Sequence, residues 1–583
     1  MNNRGFILTG CLILTGVVGT ILAKAPASRP AAEVIIRHAR IYTVNAQQPW
    51  TEAAAMRGGK IVFVGSEADV APYRDSKTQV LDAGGRLVLP GFTDCHIHFL
   101  EGSLALGRAE LAGTHSVAEI QQVLKTYAAA HPGNGWLLGQ SWTYDAFGAE
   151  ALPDKKYLDE LFPDRPVFLE GFDGHTTWAN SKALQMAGIT RTTPDPPNGK
   201  IVRDPKTGEP TGALKESAGD LVSDKLPPTP REEKLAALRK GFLEANRAGL
   251  VRAHSAGGDF DSLDLYDKLR RQGQLTLRLY IAKVIDPPEL KPADIAALEG
   301  ARARFHDDWL SGGAVKFFLD GVVESHTAAM LDPYSDDPSL IGSTFWQPDK
   351  YKQAITELDR RGFQIFTHAI GDRSVRLALD AYEDAHRANH TTDSRDRIEH
   401  IETISAADIP RFGSLGVIAS MQPLHAYPDA ETGVWTRAAG KERQARAFAW
   451  QSIAAAGGRL AFGSDWNVVT LSPWPGLENA VTRQTPEGQP PGGWVPEQRV
   501  TLAQAVEAYT LGAAYAGKRE TSEGSIEPGK VADLIVVSQN IFDVAPHELH
   551  NTQVLLTMVG GKIVYRAPEW MPQSAAQGAP TSP

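Results

Sequence analysis

The sequence predicts an α/β fold: a (β/α)8 TIM barrel, a composite β-sandwich built from both chain ends, and a subdomain inserted into the barrel. Three observations lead there. Strand-like apolar runs alternate with helical stretches through the middle of the chain, the signature of parallel α/β architecture. Short strands around Gly-Gly turns occupy both ends. One gap in the alternation is far too long for a single barrel unit. With 583 residues the chain also exceeds one compact core, so two or more packed units are expected.

The chain opens on a run without charge. Met1 to Arg4 carries one basic side chain, Phe6 to Leu22 carries no charge, and small residues follow in Ala23-Lys24-Ala25-Pro26-Ala27-Ser28. That is the layout of a secretory signal peptide over residues 1–27, so the chain is expected to be exported, periplasmic or secreted. Pro26 favours cleavage after Ala27 over cleavage after Ala25. An uncleaved membrane anchor is the alternative, because about 17 apolar residues approach a minimal span. Lipid attachment at Cys11 leaves too little apolar chain ahead of it. The cysteines are Cys11 and Cys95; with the signal gone, a single thiol and no internal disulfide remain, which a large core tolerates outside the cell. The net charge of −10 argues against nucleic acid, since a phosphate-binding face needs a basic surplus.

Residues 28–90 read as the first part of the sandwich, with Glu33-Val34-Ile35-Ile36 and Lys60-Ile61-Val62-Phe63-Val64 as strands. Met56-Arg57-Gly58-Gly59-Lys60-Ile61-Val62-Phe63 has a near copy in Met558-Val559-Gly560-Gly561-Lys562-Ile563-Val564-Tyr565. Two unrelated hairpins are the bland reading; one sheet assembly shared by residues 28–90 and 521–567 is the sharper one. The Pro-, Ala-, Gln- and Ser-rich tail, 568–583, reads as disordered.

The barrel is expected over residues 91–520. Its strands are the run ending at His98, Leu250 to His254, Leu277 to Ile281, Ala314 to Phe318, Gln364 to His368, Arg397 to His400, Gly416 to Ser420 and Leu460 to Asp465. Several end on a polar residue able to bind a ligand, where barrel enzymes place their chemistry. A barrel unit takes roughly 30 residues, yet about 150 separate the first strand from the second. Residues 100–249 are therefore expected to hold an inserted subdomain that lids the mouth.

The sharpest motif is Pro90-Gly91-Phe92-Thr93-Asp94-Cys95-His96-Ile97-His98. Residues two apart on a strand point the same way, so His96 and His98 can reach one metal together. An isolated H-x-H is weak; its place after a hairpin and an apolar strand strengthens it.

On these residues the sequence resembles the amidohydrolase superfamily, and more narrowly the family 3 branch that contains N-substituted formamide deformylase. The resemblance extends over Asp173-Gly174-His175-Thr176-Thr177-Trp178-Ala179-Asn180, Val315-Lys316-Phe317-Phe318-Leu319-Asp320-Gly321 and Thr367-His368-Ala369-Ile370-Gly371-Asp372. It continues through Arg397-Ile398-Glu399-His400, Gly463-Ser464-Asp465 and Gly524-Ser525-Ile526-Glu527-Pro528-Gly529-Lys530. The matches occur in family order and cover nearly the whole chain after residue 27.

The resemblance implies one or two zinc-type divalent ions per chain, with His96 and His98 on the more buried one and His368 and His400 on a second. It places Lys316 where relatives carry a carboxylated lysine that bridges two metals. A structural ion pair is the alternative, although burial between Val315 and Phe317 lowers a lysine pKa and favours the amine that reacts with CO2. Asp465 is implied as metal ligand and general base/acid, with a helix N-cap as its bland reading. Asp173, His175, Trp178 and Asn180 are implied to face substrate, with loop packing as the competitor. His175 and His254 are candidates to supply or support an oxyanion donor, and His254 could equally be a partner that stands behind the metal ligands. His326 stands where relatives carry an arginine in a Gly-Ser-Arg run, which puts anchoring of a substrate anion there in doubt.

The expected activity is hydrolysis of a linear, formamide-type C–N bond in a small-molecule amide, with no nucleic acid as partner and room for a homodimer. A lactonase or esterase on the same centre is the second reading, since the barrel hosts many reactions. A catalytically silent binding protein is the third, and the full ligand set argues against it.

Overall fold

The computed structural model describes residues 31–570 except 149–151, 173, 175, 198, 258–259 and 427–432. The expected signal peptide therefore lies outside the described residues. Eight parallel strands form the central sheet: β1 (Phe92–Ile97), β2 (Leu250–Ser255), β3 (Arg278–Val284), β4 (Leu310–Phe318), β5 (Gln364–Ala369), β6 (Arg397–His400), β7 (Ile418–Met421) and β8 (Arg459–Phe462). They are hydrogen-bonded in the order β8-β7-β6-β5-β4-β3-β2-β1. All eight fall on the runs read from the sequence. They are nearly continuous apolar segments because helices cover the outside and side chains fill the inside.

The seam between β8 and β1 is closed above β8. Asp465 N–H donates to the His96 carbonyl at 2.7 Å, and His98 N–H donates to the Trp466 carbonyl at 2.7 Å. Gly463 makes this approach feasible, since a Cβ there would sit 2.4 Å from the His96 nitrogen. The Asp94 carboxylate locks the same seam by accepting Ser464 N–H at 3.0 Å and Ser464 O–H at 2.5 Å. Closing the barrel thus brings the end of the eighth strand against the H-x-H motif.

The two chain ends meet as expected. The strand Leu87–Pro90 pairs with the strand Leu534–Val537 in a six-stranded sheet, beside a four-stranded sheet made from residues 34–82. One apolar cluster spans both ends, from Ile36 and Ile41 to Leu556 and Met558. Two boundaries differ from the sequence reading. The chain stays packed through Trp570, which is buried in that cluster with the Arg86 guanidinium over its ring; a large indole outweighs its polar neighbours, so the expected disorder does not begin at 568. Residues 571–583 lie outside the described residues.

The inserted subdomain is also shorter than expected. Its six-stranded sheet runs from Ala109–Glu110 to Pro210–Glu216. The helices Phe99–Ala105 and Arg231–Arg247 instead pack into the barrel core through Phe99, Leu235, Leu238 and Phe242. Arg231–Arg247 is the barrel helix that leads into β2, which a residue count alone could not separate from the insertion.

Candidate metal centre

Strand alternation aims the site. On β6, Arg397 and Glu399 face the barrel axis together. His400 follows at φ 72°, Ile401 at φ 53°, and Asp465 beyond β8 at φ 61°. Left-handed backbone at such residues costs about 1–3 kcal/mol each and clusters at functional sites. Here it turns His400 and Asp465 inward from the ends of their strands.

The structure brings all six expected metal residues together. His96, His400 and Asp465 each place a ligand atom within 4.8 Å of the others. Asp465 Oδ1 lies 3.1 Å from His98 Nε2 and 3.4 Å from His96 Nε2. The His368 and His400 rings are 4.5 Å apart, and Lys316 Nζ is 3.4 Å from His96 Nε2. Yet Asp465 Oδ1 and His400 Nδ1 are buried without a hydrogen-bond partner. The contacts are close, but the atoms point at a shared centre rather than at each other. Imidazole nitrogens and a carboxylate converging in this way are a donor set that suits a divalent metal ion.

The electrostatics keep those donors ready. Burial, then the neighbouring Lys316, pushes His96 down to about 4 and His368 down to about 3. Burial and His368 hold His400 well below the ordinary imidazole value. These rings therefore stay neutral with lone pairs free. Burial opposes a charge on His98, but the Asp465 carboxylate prevails and raises it. Against the cost of burial, His96 and His98 hold the Asp465 carboxyl well below its usual range, so it is ionised. Burial lowers Lys316 to about 8.

A supporting layer below was not assigned a role from sequence. Glu399 Oε2 accepts His96 Nδ1–H at 2.6 Å, which leaves Nε2 bare toward the centre. Against burial, Arg397 and His96 keep Glu399 ionised, and Arg397 Nε donates to Glu399 Oε1 at 2.5 Å. Arg397 and Glu399 sit two apart in a quoted motif, and the period-2 rule applied there would have flagged both. Asp320 ties the loops after β4 and β5, accepting N–H groups from Ala329, Ile370 and Gly371 at 2.9–3.1 Å. Glu402 stands on the loop after β6. It is buried, accepts Trp435 Nε1–H at 2.7 Å, and is pushed well up by burial and by Glu324. His425, after β7, stacks parallel to His400 with ring centres 5.8 Å apart and places Nε2 3.6 Å from Asp465 Oδ2. It follows a strand end, the same positional signal that exposed the other ligands.

Several expected substrate residues lie elsewhere. Trp178 is fully buried in the insertion, edge-on to Phe147 and Trp142, because a large indole inside a sheet is the natural core of a small subdomain. Asn180 caps the helix Ser181–Ala187: its side chain accepts N–H from Ala183 and Val167 and donates to Phe162 and Arg165 carbonyls. With all its bonds made internally, it has nothing left for substrate. His254 lies in the barrel interior against Arg397 and Cys95, with Nδ1 3.0 Å from an Arg397 nitrogen, and Gly517 near its other edge. It supports the Arg397–Glu399 layer and does not reach the mouth. His326 is on the loop after β4, with Nε2 2.8 Å from Asp336 Oδ1 and its ring against Tyr334. Asp173 and His175 lie outside the described residues. A second His/Asp group, Asp359, His386 and Asp396, is already engaged by Asn389, Thr391, Ser394 and the Ile365 N–H.

Comparison with known proteins bears on the family and the fold. The Amidohydrolase family matches residues 79–565. Protein LONG AFTER FAR-RED 3 of Arabidopsis thaliana is 31% identical over 94% of this chain and 94% of its own length. A putative amidohydrolase of Bacillus subtilis, YtcJ, is 31% identical over 90% and 98%, and the N-substituted formamide deformylase of Arthrobacter pascens is 28% identical over 91% and 98%. Among solved structures, an uncharacterized metal-dependent hydrolase from Pyrococcus horikoshii shares the fold with a TM-score of 0.70, 23% identity, and coverage of 88% of this chain and 99% of that one. The ordered strand-end residues, the barrel and the family match lead to one statement: the chain belongs to the amidohydrolase family.

Proposed function

We propose that the protein is an exported, zinc-dependent hydrolase of a non-peptide C–N bond in a small linear amide of formamide type, with Asp465 as general base and acid. The observation that carries the reading is the convergence of His96, His98, His368, His400, Lys316 and Asp465 at the open ends of five strands, β1, β4, β5, β6 and β8. His96, His98 and Asp465 would hold one ion, and His368 and His400 a second, with Lys316 between them as a carboxylated bridge. Burial supports that last role, since an amine lowered to about 8 has a neutral fraction to react with CO2. A bound zinc ion there supplies Lewis acidity and a readily ionised water.

The residues of the chain do the rest. Glu399 fixes the His96 ring, and Arg397 fixes Glu399. Asp465, ionised at neutral pH, accepts a proton from the attacking water at its carboxylate oxygen. It returns that proton to the departing nitrogen, which cannot leave as an anion. The likeness to N-substituted formamide deformylase supports the formamide type, and the charge-free run before Ala27 supports export.

A panel of linear amides, esters and lactones, assayed with metal content on the same preparation, tests this. Amide turnover is expected from zinc-loaded protein, and Asp465→Asn is expected to lower kcat by about 10²–10⁴-fold while the chain stays folded. A metal-replete enzyme that cleaves only esters or lactones rejects the amide assignment. Near-normal turnover by metal-replete Asp465→Asn rejects the proton role.

A further inference from the structure

The end of β7 carries polar groups that the proposed reaction does not yet use. Ser420 lies opposite Glu399 in the β6–β7 pairing, so it faces the barrel axis, and Gln422 continues the same face two residues on. Gln422 is 1% exposed, and neither its side-chain oxygen nor its nitrogen has a hydrogen-bond partner. Reversing the carboxamide end for end changes nothing, because both atoms are unpartnered. His425 Nε2 is likewise buried without a hydrogen bond, 3.6 Å from Asp465 Oδ2. The turn that carries both residues is pinned from outside and closed from within. Asn479 Nδ2 donates to the Pro423 carbonyl at 2.9 Å, and His425 N–H donates to the Gln422 carbonyl at 3.0 Å. The turn is thus fixed, while the Gln422 carboxamide and His425 Nε2 that it carries have no hydrogen-bond partner.

Burying an amide with no partner is costly. Such a group persists where a ligand completes it. An apolar ligand would leave both ends bare, and an anion would satisfy only the amino end. A ligand N–H supplies the donor that the carboxamide oxygen lacks, and an amide substrate carries such a group beside its reacting carbonyl. We infer that Gln422 is a specificity-determining residue that accepts the N–H of the scissile amide, so that the site selects amides retaining a hydrogen on nitrogen. His425 walls the same subsite next to Asp465. This rests on the amide reading above. It adds the prediction that tertiary amides, which lack the N–H, are discriminated against by Gln422 itself.

The test compares 4-nitroformanilide with its N-methyl analogue on zinc-loaded wild type and Gln422→Met, a substitution that keeps length and shape. Taking each substrate's variant-to-wild-type ratio removes its intrinsic reactivity. The expected result is a loss of about 10–100-fold in kcat/KM on the N–H substrate, with the N-methyl substrate within about threefold and zinc content unchanged. The thermal midpoint should hold or rise, because an unpartnered buried amide gives way to an apolar isostere. Equal losses on both substrates, no loss on either, or a fall in Tm or folded yield would make Gln422 a structural residue and overturn the inference. Wild type that cleaves neither anilide but does cleave an ester or lactone would remove the amide reading, and the inference with it, a result distinct from the others.

Discussion

Lys316 shows how a single residue takes its character from its surroundings. Fully buried on β4 with its ammonium near His96 and over the Phe318 ring, it is the one amine in the centre, and burial lowers it from 10.5 to about 8. Its linkage to stability has a definite sign. Between those values the unfolded chain keeps the lysine proton while the folded chain releases it, so stability rises with pH. That stability is lost as pH falls through the folded value. In metal-free, CO2-free buffer the Tm is expected to climb between pH 8 and 9, and Lys316→Met should abolish most of that slope. A flat wild-type profile, or an equal slope in Lys316→Met, would contradict a desolvated lysine. The sequence placed this residue near the end of an apolar barrel strand, and the family resemblance, not its neighbours alone, gave it a bridging role. Trp178 and Asn180 were not legible in the same way: their motif fits substrate contact and local packing equally, and only the tertiary bonds of the insertion decide between them.

At the scale of the element, strand ends carry the information. A residue near the end of a barrel strand is aimed at the mouth, so position and type made His96, His98, Lys316, His368, His400 and Asp465 candidates, and the family resemblance supplied their roles. The shared face of Arg397 and Glu399 was readable from their spacing on β6, but their roles were not, because their partners come from other strands of the barrel. Glu399 meets His96 across the barrel at 2.6 Å, from a position about 300 residues later in the chain. Glu399→Gln keeps the shape but weakens the grip on His96 Nδ1–H and leaves Arg397 uncompensated. Metal affinity is expected to fall about 10–100-fold, measured by competition with a chromogenic chelator, along with a lower Tm. Unchanged affinity would mean that the His96 ring is oriented without Glu399. The end of β7 was equally readable by position, since Gln422 follows that strand directly and His425 lies in the turn after it.

At the scale of the whole molecule, the sandwich is fastened to the barrel by buried ion pairs. Arg278 on β3 meets Asp533 through two bonds of 2.7 and 3.1 Å, and Arg252 on β2 meets Glu523 at 2.6 and 2.7 Å. These join the barrel to a segment more than 250 residues later in the chain. Removing one partner of such a pair leaves a buried charge, so Asp533→Ala is expected to cost about 3–5 kcal/mol in urea unfolding. A loss below about 1 kcal/mol would show that the contact is wet and marginal. The repeated Gly-Gly hairpins disclosed that both ends build one unit. The extent of the insertion stayed hidden, because the helix Arg231–Arg247 has the same amphipathic pattern whether it covers a lid or a barrel. Everything in this architecture, from the closed seam at Gly463 to the layer under His96, serves to fix six side chains around one point. Elemental analysis of zinc-reconstituted wild type beside His96→Ala and His400→Ala tests that most directly. About one to two ions per folded wild-type chain, falling well below one in both variants, is the predicted result; a folded wild type without bound divalent metal, or variants that bind as much, would contradict it.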